Sequence, residues 1–191
     1  MIEFTLALPF LMFVLFGVFE FGLMMYSLGS SRFASADAAR VISEQGTLVI
    51  NPCSSVAGCS ALDRTTWPLS GDCDADCQAL SAINRGPLGT TSIATIDEID
   101  VVQLKSDGSA DTGCAGSPCN LNRYTLDGQR IGSPTYPATT RGVILGSSDY
   151  AAITIKFRYR WKTGIFSSAF PVVSLSSTFN VKLEPQRFPG S

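Results

Sequence analysis

The sequence predicts an α+β protein in which a long N-terminal hydrophobic helix packs on an antiparallel β-sheet domain with disulfide-bridged loops. Three observations predict this architecture. The chain opens with an apolar run, it ends in segments that alternate apolar and polar side chains, and its six cysteines lie between those regions. We therefore expect a helix over residues 1–46 and an extracytoplasmic β-rich domain over residues 47–191.

The opening run predicts a helix of membrane length. Between Glu3 and Arg32 the only charged residue is Glu20, and all 14 Lys and Arg lie at or beyond Arg32. Residues 4–31 would form a helix of ~42 Å, which exceeds the ~30 Å hydrocarbon core of a bilayer. Its length, the missing basic start and the missing small-residue cleavage site argue against a secretory signal peptide.

The two carboxylates of this run need an explanation, because a charge in or near lipid costs several kcal/mol unless it is compensated. The only cation that the sequence offers near Glu3 is an amino terminus, so we expect the amine of a neighbouring identical chain to pair with it. Glu20 lies ~25 Å further along the axis, where solvation at the far interface is an alternative explanation. Pro9 predicts either a functional bend or the tolerance of proline common in membrane helices.

The segment IEFTLALPFLMFVLFGVFEFG resembles the start of TadE-like pseudopilins of the tight adherence (Tad) pilus, within the type IV pilin-like superfamily. The residues that carry the resemblance are Glu3, Phe4, Pro9, Glu20 and Gly22. Downstream, ASADAAR resembles the family's alanine-rich helix. AAITIKFRYRW and STFNVKLEP are similar to its closing hairpin, whereas the cysteine-rich middle matches only loosely.

This resemblance implies a non-enzymatic structural subunit of a filament, with Glu3, Phe4, Pro9 and Glu20 in subunit assembly. It implies partners of three kinds: other copies or other pilins, the inner membrane before assembly, and the pilus assembly machinery with its prepilin peptidase. The final location would be the cell surface. A minor pseudopilin that primes assembly and a pilus-associated adhesin are the alternatives. The family's cleavage glycine would stand upstream of Met1, so either the printed chain begins inside the mature protein or processing differs.

The cysteines predict disulfides. An even set among Gly, Pro, Ser and Asp is typical of an oxidising compartment. A metal site is the weaker interpretation, since the chain has no histidine and lacks paired C-x-x-C spacings. The segment CAGSPC can turn tightly enough to join Cys114 to Cys119, and the other pairings stay open. The six residues are Cys53, Cys59, Cys73, Cys77, Cys114 and Cys119.

The remaining elements follow from periodicity and turn residues. The first helix should continue to Gly46, a good C-terminal capping residue, with a stripe of Phe33, Ala36, Ala39 (or Arg40) and Ile42 facing the domain. A short helix should end at Gly86. DEIDVVQLK and NRYTL predict two paired strands.

The end of the chain gives the clearest strand signal. Alternation over residues 153–161 and 173–183 predicts two strands, each with one buried and one solvated face, joined as a hairpin across 162–171. Both apolar rows should face the long helix. The rows are Ile153, Ile155, Phe157, Tyr159 and Trp161 on the first strand and Val173, Leu175, Phe179, Val181 and Leu183 on the second.

Three other functions receive little support. Without histidine, a nucleophile elbow or a phosphate-binding loop, we expect no enzyme, no cofactor and no metal. Asp72, Asp74 and Asp76 resemble the start of a calcium loop, but its turn glycine and its bidentate Glu are missing.

A nucleic-acid interface is the third such function. The basic row on the penultimate strand lies beside two aromatic residues, which would suit a single strand. Alternating bases on a strand more often solvate its outer face, so we expect no nucleic acid. The row consists of Lys156, Arg158, Arg160 and Lys162, next to Tyr159 and Trp161.

Overall fold

The computed structural model describes residues 2–46, 75–90, 93–112, 118–132, 135–137, 140–143, 148–163, 167 and 172–184. Three helices and four strands lie in these ranges. The helices are α1 (Ile2–Gln45), α2 (Ala75–Arg85) and α3 (Pro87–Thr90). The strands are β1 (Ala94–Leu104), β2 (Leu121–Tyr124), β3 (Tyr150–Arg160) and β4 (Val172–Lys182).

Helix α1 runs for 44 residues without a break at Pro9. Its predicted end is confirmed, because Gly46 follows as a turn residue. A Cβ at Gly46 would lie 3.0 Å from the Ile42 carbonyl oxygen and 3.2 Å from a Leu183 methyl carbon. The absence of a side chain at Gly46 therefore lets the end of α1 pack closely against Leu183, which follows β4.

The four strands form one antiparallel sheet in the order β2-β1-β3-β4. The predicted pairing of DEIDVVQLK with NRYTL is confirmed as β1 with β2. The predicted C-terminal hairpin is confirmed as β3 with β4, in register from Tyr150↔Lys182 to Arg160↔Val172. An irregularity between Ile96 and Glu98 interrupts the pairing of β1 with β3.

The core lies between the C-terminal half of α1, helix α2 and one face of the sheet. Strand β3 contributes its predicted row, with Ile153, Ile155 and Phe157 buried. The stripe predicted on α1 is partly wrong: Phe33 is 78% exposed and points away from the core. Small residues on the neighbouring positions allow the helix to approach the sheet closely instead. The buried residues of α1 in this core are Ala34, Ala38, Ala39 and Ile42.

The apolar row of β4 is only half covered, in contrast to the prediction. Phe179 is 44% exposed, whereas Ser177 is buried and its hydroxyl lies 3.2 Å from that of Ser35 on α1. Further along, the Ser43 hydroxyl donates to the Lys182 carbonyl at 2.9 Å. Contacts thus advance along both elements together, so α1 and β4 run in the same direction.

Two cysteines, Cys77 in α2 and Cys119 before β2, lie in the described ranges, and both are disulfide-bonded. No disulfide joins two cysteines of the described ranges, so the predicted Cys114–Cys119 pair and the other pairings stay predictions. The other four cysteines lie outside the described residues.

Candidate functional site

The N-terminal half of α1 stands clear of the folded domain. From Phe4 to Phe16 every described side chain is exposed, and most are large and apolar. By length and composition α1 is long and apolar enough to cross a membrane. Fully apolar surface of this extent cannot stay in water, so lipid or other protein must cover it.

From Glu20 onward α1 has two different faces. Ser27, Ser31 and Ala34 are buried against the domain. The opposite face continues the exposed apolar surface. We call this second surface, formed by Phe21, Met25, Tyr26 and Phe33, the outer stripe. It extends about four turns beyond the part of α1 that is exposed on all sides.

Glu20 marks the boundary between these two parts of the helix. It is fully buried, and the Tyr159 hydroxyl donates to its Oε2 at 2.6 Å. The backbone amide of Thr163 donates to its Oε1. Glu20 is therefore held by its own domain rather than solvated at an interface. We call this arrangement of Glu20, Tyr159 and Thr163 the Glu20 clasp.

The environment of Tyr159 suits its role as a donor. Burial, together with the hydrogen bond to the Glu20 carboxylate, raises the pKa of Tyr159 above its ordinary value. The phenol therefore keeps its proton. Sequence reasoning missed Tyr159 and Thr163 as partners of Glu20, since they follow it by 139 and 143 residues.

The structure does not gather the predicted assembly residues into one cluster. Phe4 and Pro9 lie on the free part of α1, and Glu20 lies in the clasp. The side chain of Glu3 lies outside the described part of the chain. Its predicted pairing with a neighbour's amine stays a prediction.

The aspartate series considered for calcium serves a different purpose at its described member. Asp76 is buried, and its Oδ1 lies 2.6 Å from a guanidinium nitrogen of Arg141. Its Oδ2 accepts hydrogen bonds from Asn122 and Tyr124, both at 2.8 Å. Asp76 thus fastens α2 to β2 and to the loop that carries Arg141. Asp72 and Asp74 lie outside the described residues. Within the described part of the chain, no group of three potential metal ligands occurs.

Two of the four basic residues of the predicted row form ion pairs with carboxylates of β1. Lys156 Nζ lies 2.7 Å from Asp100 Oδ2, and a guanidinium nitrogen of Arg158 lies 2.5 Å from Asp97 Oδ1. At Lys156 and Arg158 these pairs leave little net positive charge for a phosphate backbone. Arg160 and Lys162 lie beyond the end of the pairing between β1 and β3, and both are exposed.

Comparison with known families finds a match at the N-terminal helix. The model of the family described as TadE-like protein matches residues 1–40. The resemblance noted in the sequence is thereby confirmed for this N-terminal segment, which contains the free part of α1, Glu20 and the outer stripe. The TadE-like match ends before the sheet. No curated protein and no solved structure matches the chain.

Proposed function

We propose that this protein is a structural subunit of a Tad pilus, a filament of the type IV pilin-like superfamily. Before assembly it is inserted in the bacterial inner membrane through α1. After assembly the helices pack in the filament core and the sheet domain faces outward. The single observation that carries this proposal is the uncovered apolar surface of α1, which lies within the segment matched as TadE-like.

The outer stripe favours a filament over a simple membrane anchor. An anchor needs about 20 apolar residues, and α1 supplies most of that length before Glu20. The outer stripe continues past Glu20 beside a folded, water-exposed domain. Exposed apolar side chains at this level are stabilised when another protein covers them, and the same stripe of a neighbouring subunit is the natural cover.

Glu3 supplies the register in this proposal. A carboxylate in a dry helix bundle is destabilising alone and is tolerated when a cation lies beside it. The amine of a neighbouring chain would meet that need at one axial stagger of the two helices. Partners before assembly would be the pilus machinery and the prepilin peptidase.

Cryo-electron microscopy of filaments sheared from the native cells, with mass spectrometry of their subunits, tests the proposal. We expect this chain to tile the filament, with α1 in its core. Filaments built from a different protein would support the alternative of a minor pseudopilin that primes assembly. A chain that decorates the filament surface through its domain, with α1 outside the core, would support the adhesin.

A second test separates assembly from folding. Glu3→Gln and Glu3→Ala should abolish incorporation into filaments and leave the unfolding midpoint of the detergent-solubilised protein unchanged. Glu44→Gln is the matched control, because Glu44 lies on the same helix in an exposed pair with Arg40. Wild-type incorporation of Glu3→Gln would refute the pairing.

A further inference from the structure

The end of the sheet next to Glu20 has a fixed position on α1. Tyr159 is the penultimate residue of β3, and Arg160, Trp161 and Lys162 lead from it to Thr163. The Glu20 clasp therefore fastens both ends of this short segment to one level of the helix. We call residues 160–162 the β3 tip.

That level coincides with the surface of a bilayer. Residues 2–19 precede the clasp, and 18 helical residues span ~27 Å. The hydrocarbon core of a bilayer is ~30 Å thick. When these residues fill the core, the β3 tip lies among the lipid headgroups. This step rests on the membrane insertion of α1 that the proposed function includes.

The chemistry of the β3 tip fits that location. Trp161 is half-buried, and its ring packs edge-on against Tyr159 with 5.5 Å between ring centroids. Tryptophan is enriched at membrane interfaces, where its apolar ring and polar edge are both accommodated. Arg160 and Lys162 are exposed on either side of it. Basic side chains at the surface of a membrane are attracted by anionic lipids.

The pattern of ion pairs along β3 sets the tip apart from the rest of the strand. Lys156 and Arg158 face carboxylates of β1, but the pairing of the two strands ends at Ala94↔Tyr159. Among the described residues Arg160 therefore has no ion-pair partner. Arg160 therefore carries a positive charge that β1 does not neutralise, at the end of the sheet that the Glu20 clasp fixes on α1.

We propose that the β3 tip docks on anionic phospholipid headgroups while the protein is in the membrane. Arg160 and Lys162 bind lipid phosphates, and Trp161 lies at the boundary between headgroups and acyl chains. Together with the clasp, this contact fixes the tilt of the domain relative to the bilayer. Extraction of the subunit into a filament then requires release of these headgroups.

Depth-dependent quenching of tryptophan fluorescence tests the docking in the full-length protein. The chain has two tryptophans, so Trp67→Phe leaves Trp161 as the only reporter. The protein is reconstituted in phosphatidylcholine vesicles with or without about one-third phosphatidylglycerol. We expect lipids brominated near the headgroup to quench Trp161 at least about twofold more strongly than lipids brominated near the acyl ends.

Charge variants test the role of the basic residues. Arg160→Gln with Lys162→Gln should abolish the increase in shallow quenching that phosphatidylglycerol causes. The matched control is Lys105→Gln with Lys182→Gln, which removes the same charge at the opposite end of the sheet. Lys105 follows β1, and Lys182 ends β4 there. An equal response of the two double variants would overturn the proposed headgroup contact.

A separate reporter distinguishes failure of this inference from failure of membrane insertion. Phe10→Trp, in a chain with both natural tryptophans replaced by phenylalanine, places the probe on the free part of α1. Deep quenching of Trp at position 10 with no quenching of Trp161 would overturn the docking and leave the anchor intact. Absence of quenching at both positions would overturn both proposals.

Discussion

The Tyr159 hydroxyl lies 2.6 Å from the carboxylate of Glu20, a residue that precedes it by 139 positions. This contact joins the end of β3 to the point where α1 leaves the domain. A charged acceptor makes the hydrogen bond stronger than one between neutral groups. The domain is therefore fastened to the base of the free helix, and bending there would break the bond.

Tyr159→Phe tests the strength of this fastening. Removal of the hydroxyl leaves Glu20 with the Thr163 amide, and we expect the free energy of unfolding to fall by about 1–2 kcal/mol. Chemical unfolding of the detergent-solubilised protein measures the change. Tyr150→Phe is the control, because no hydrogen bond of the Tyr150 hydroxyl occurs in the described part of the chain. Equal stability of the two variants would contradict the clasp.

Asp76→Asn should be far more costly. The variant removes the carboxylate that lies 2.6 Å from the buried Arg141 guanidinium, and removal of one partner of a buried pair typically costs about 3–5 kcal/mol. Asp111→Asn makes the same chemical change in an exposed pair with Lys105, where we expect less than about 1 kcal/mol. Denaturant midpoints of both variants measure the difference. A loss for Asp76→Asn no larger than that of the control would exclude a structural role for the pair.

The charge cluster on β1 predicts a pH dependence. Burial, with a contribution from Glu98, raises the pKa of Asp100 despite the opposing ion pair with Lys156. The folded protein thus binds this proton more tightly than the unfolded chain. The stability contributed by Asp100 is present below its unfolded pKa and is lost as the pH rises through the folded value.

Asparagine does not titrate, so this pH-dependent loss should be absent from Asp100→Asn. As the pH rises from about 4 to 7, the free energy of unfolding of wild type should therefore fall relative to that of the variant, by about 1 kcal/mol or less. Unfolding midpoints across this range measure the effect. Asp107→Asn is a control of opposite sign, because hydrogen bonds from Ser109 lower the pKa of Asp107. A difference from wild type that stays constant with pH would be evidence against the Asp100 assignment.

Phe33→Ser tests the outer stripe. Phe33 is exposed in the single chain, so the variant should unfold within about 0.5 kcal/mol of wild type. If the stripe is covered by a neighbour in the filament, incorporation should drop sharply in quantitative blots of sheared filaments. Phe179→Ser removes an exposed aromatic ring from β4 and serves as the comparison. Normal incorporation of Phe33→Ser would place the stripe outside the assembly interface.

Local patterns were sufficient for most of the fold. The apolar run of α1, its end at Gly46 and the alternation of β3 each depend on residues close in sequence, and each was predicted. The burial of Ser177 in place of Phe179 was not, because it depends on where α1 crosses β4. The Asp76–Arg141 pair was missed for a similar reason. The partners are 65 residues apart, and a single charged residue in a sequence is normally expected at the surface.

The candidate site divides in the same way. The apolar N-terminal helix could be predicted from the sequence because of its uniform composition, and its acidic residues could be singled out because they interrupt the apolar run. The clasp could not, because Tyr159 belongs to the regular apolar row of β3. The contact between Tyr159 and Glu20 depends on the tertiary structure, which places the end of β3 beside α1.

The common direction of α1 and β4 restricts how copies of this protein can meet. Strand β4 is the outermost strand of the described sheet, and Lys182 is the only charge in its 11 residues. Such an edge invites antiparallel pairing with another copy of itself. That pairing would point the two helices in opposite directions, which two copies inserted the same way in one bilayer cannot do. In the proposed membrane-inserted state, the common orientation of the copies prevents antiparallel pairing of their β4 strands, whereas detergent, which imposes no common orientation, permits it.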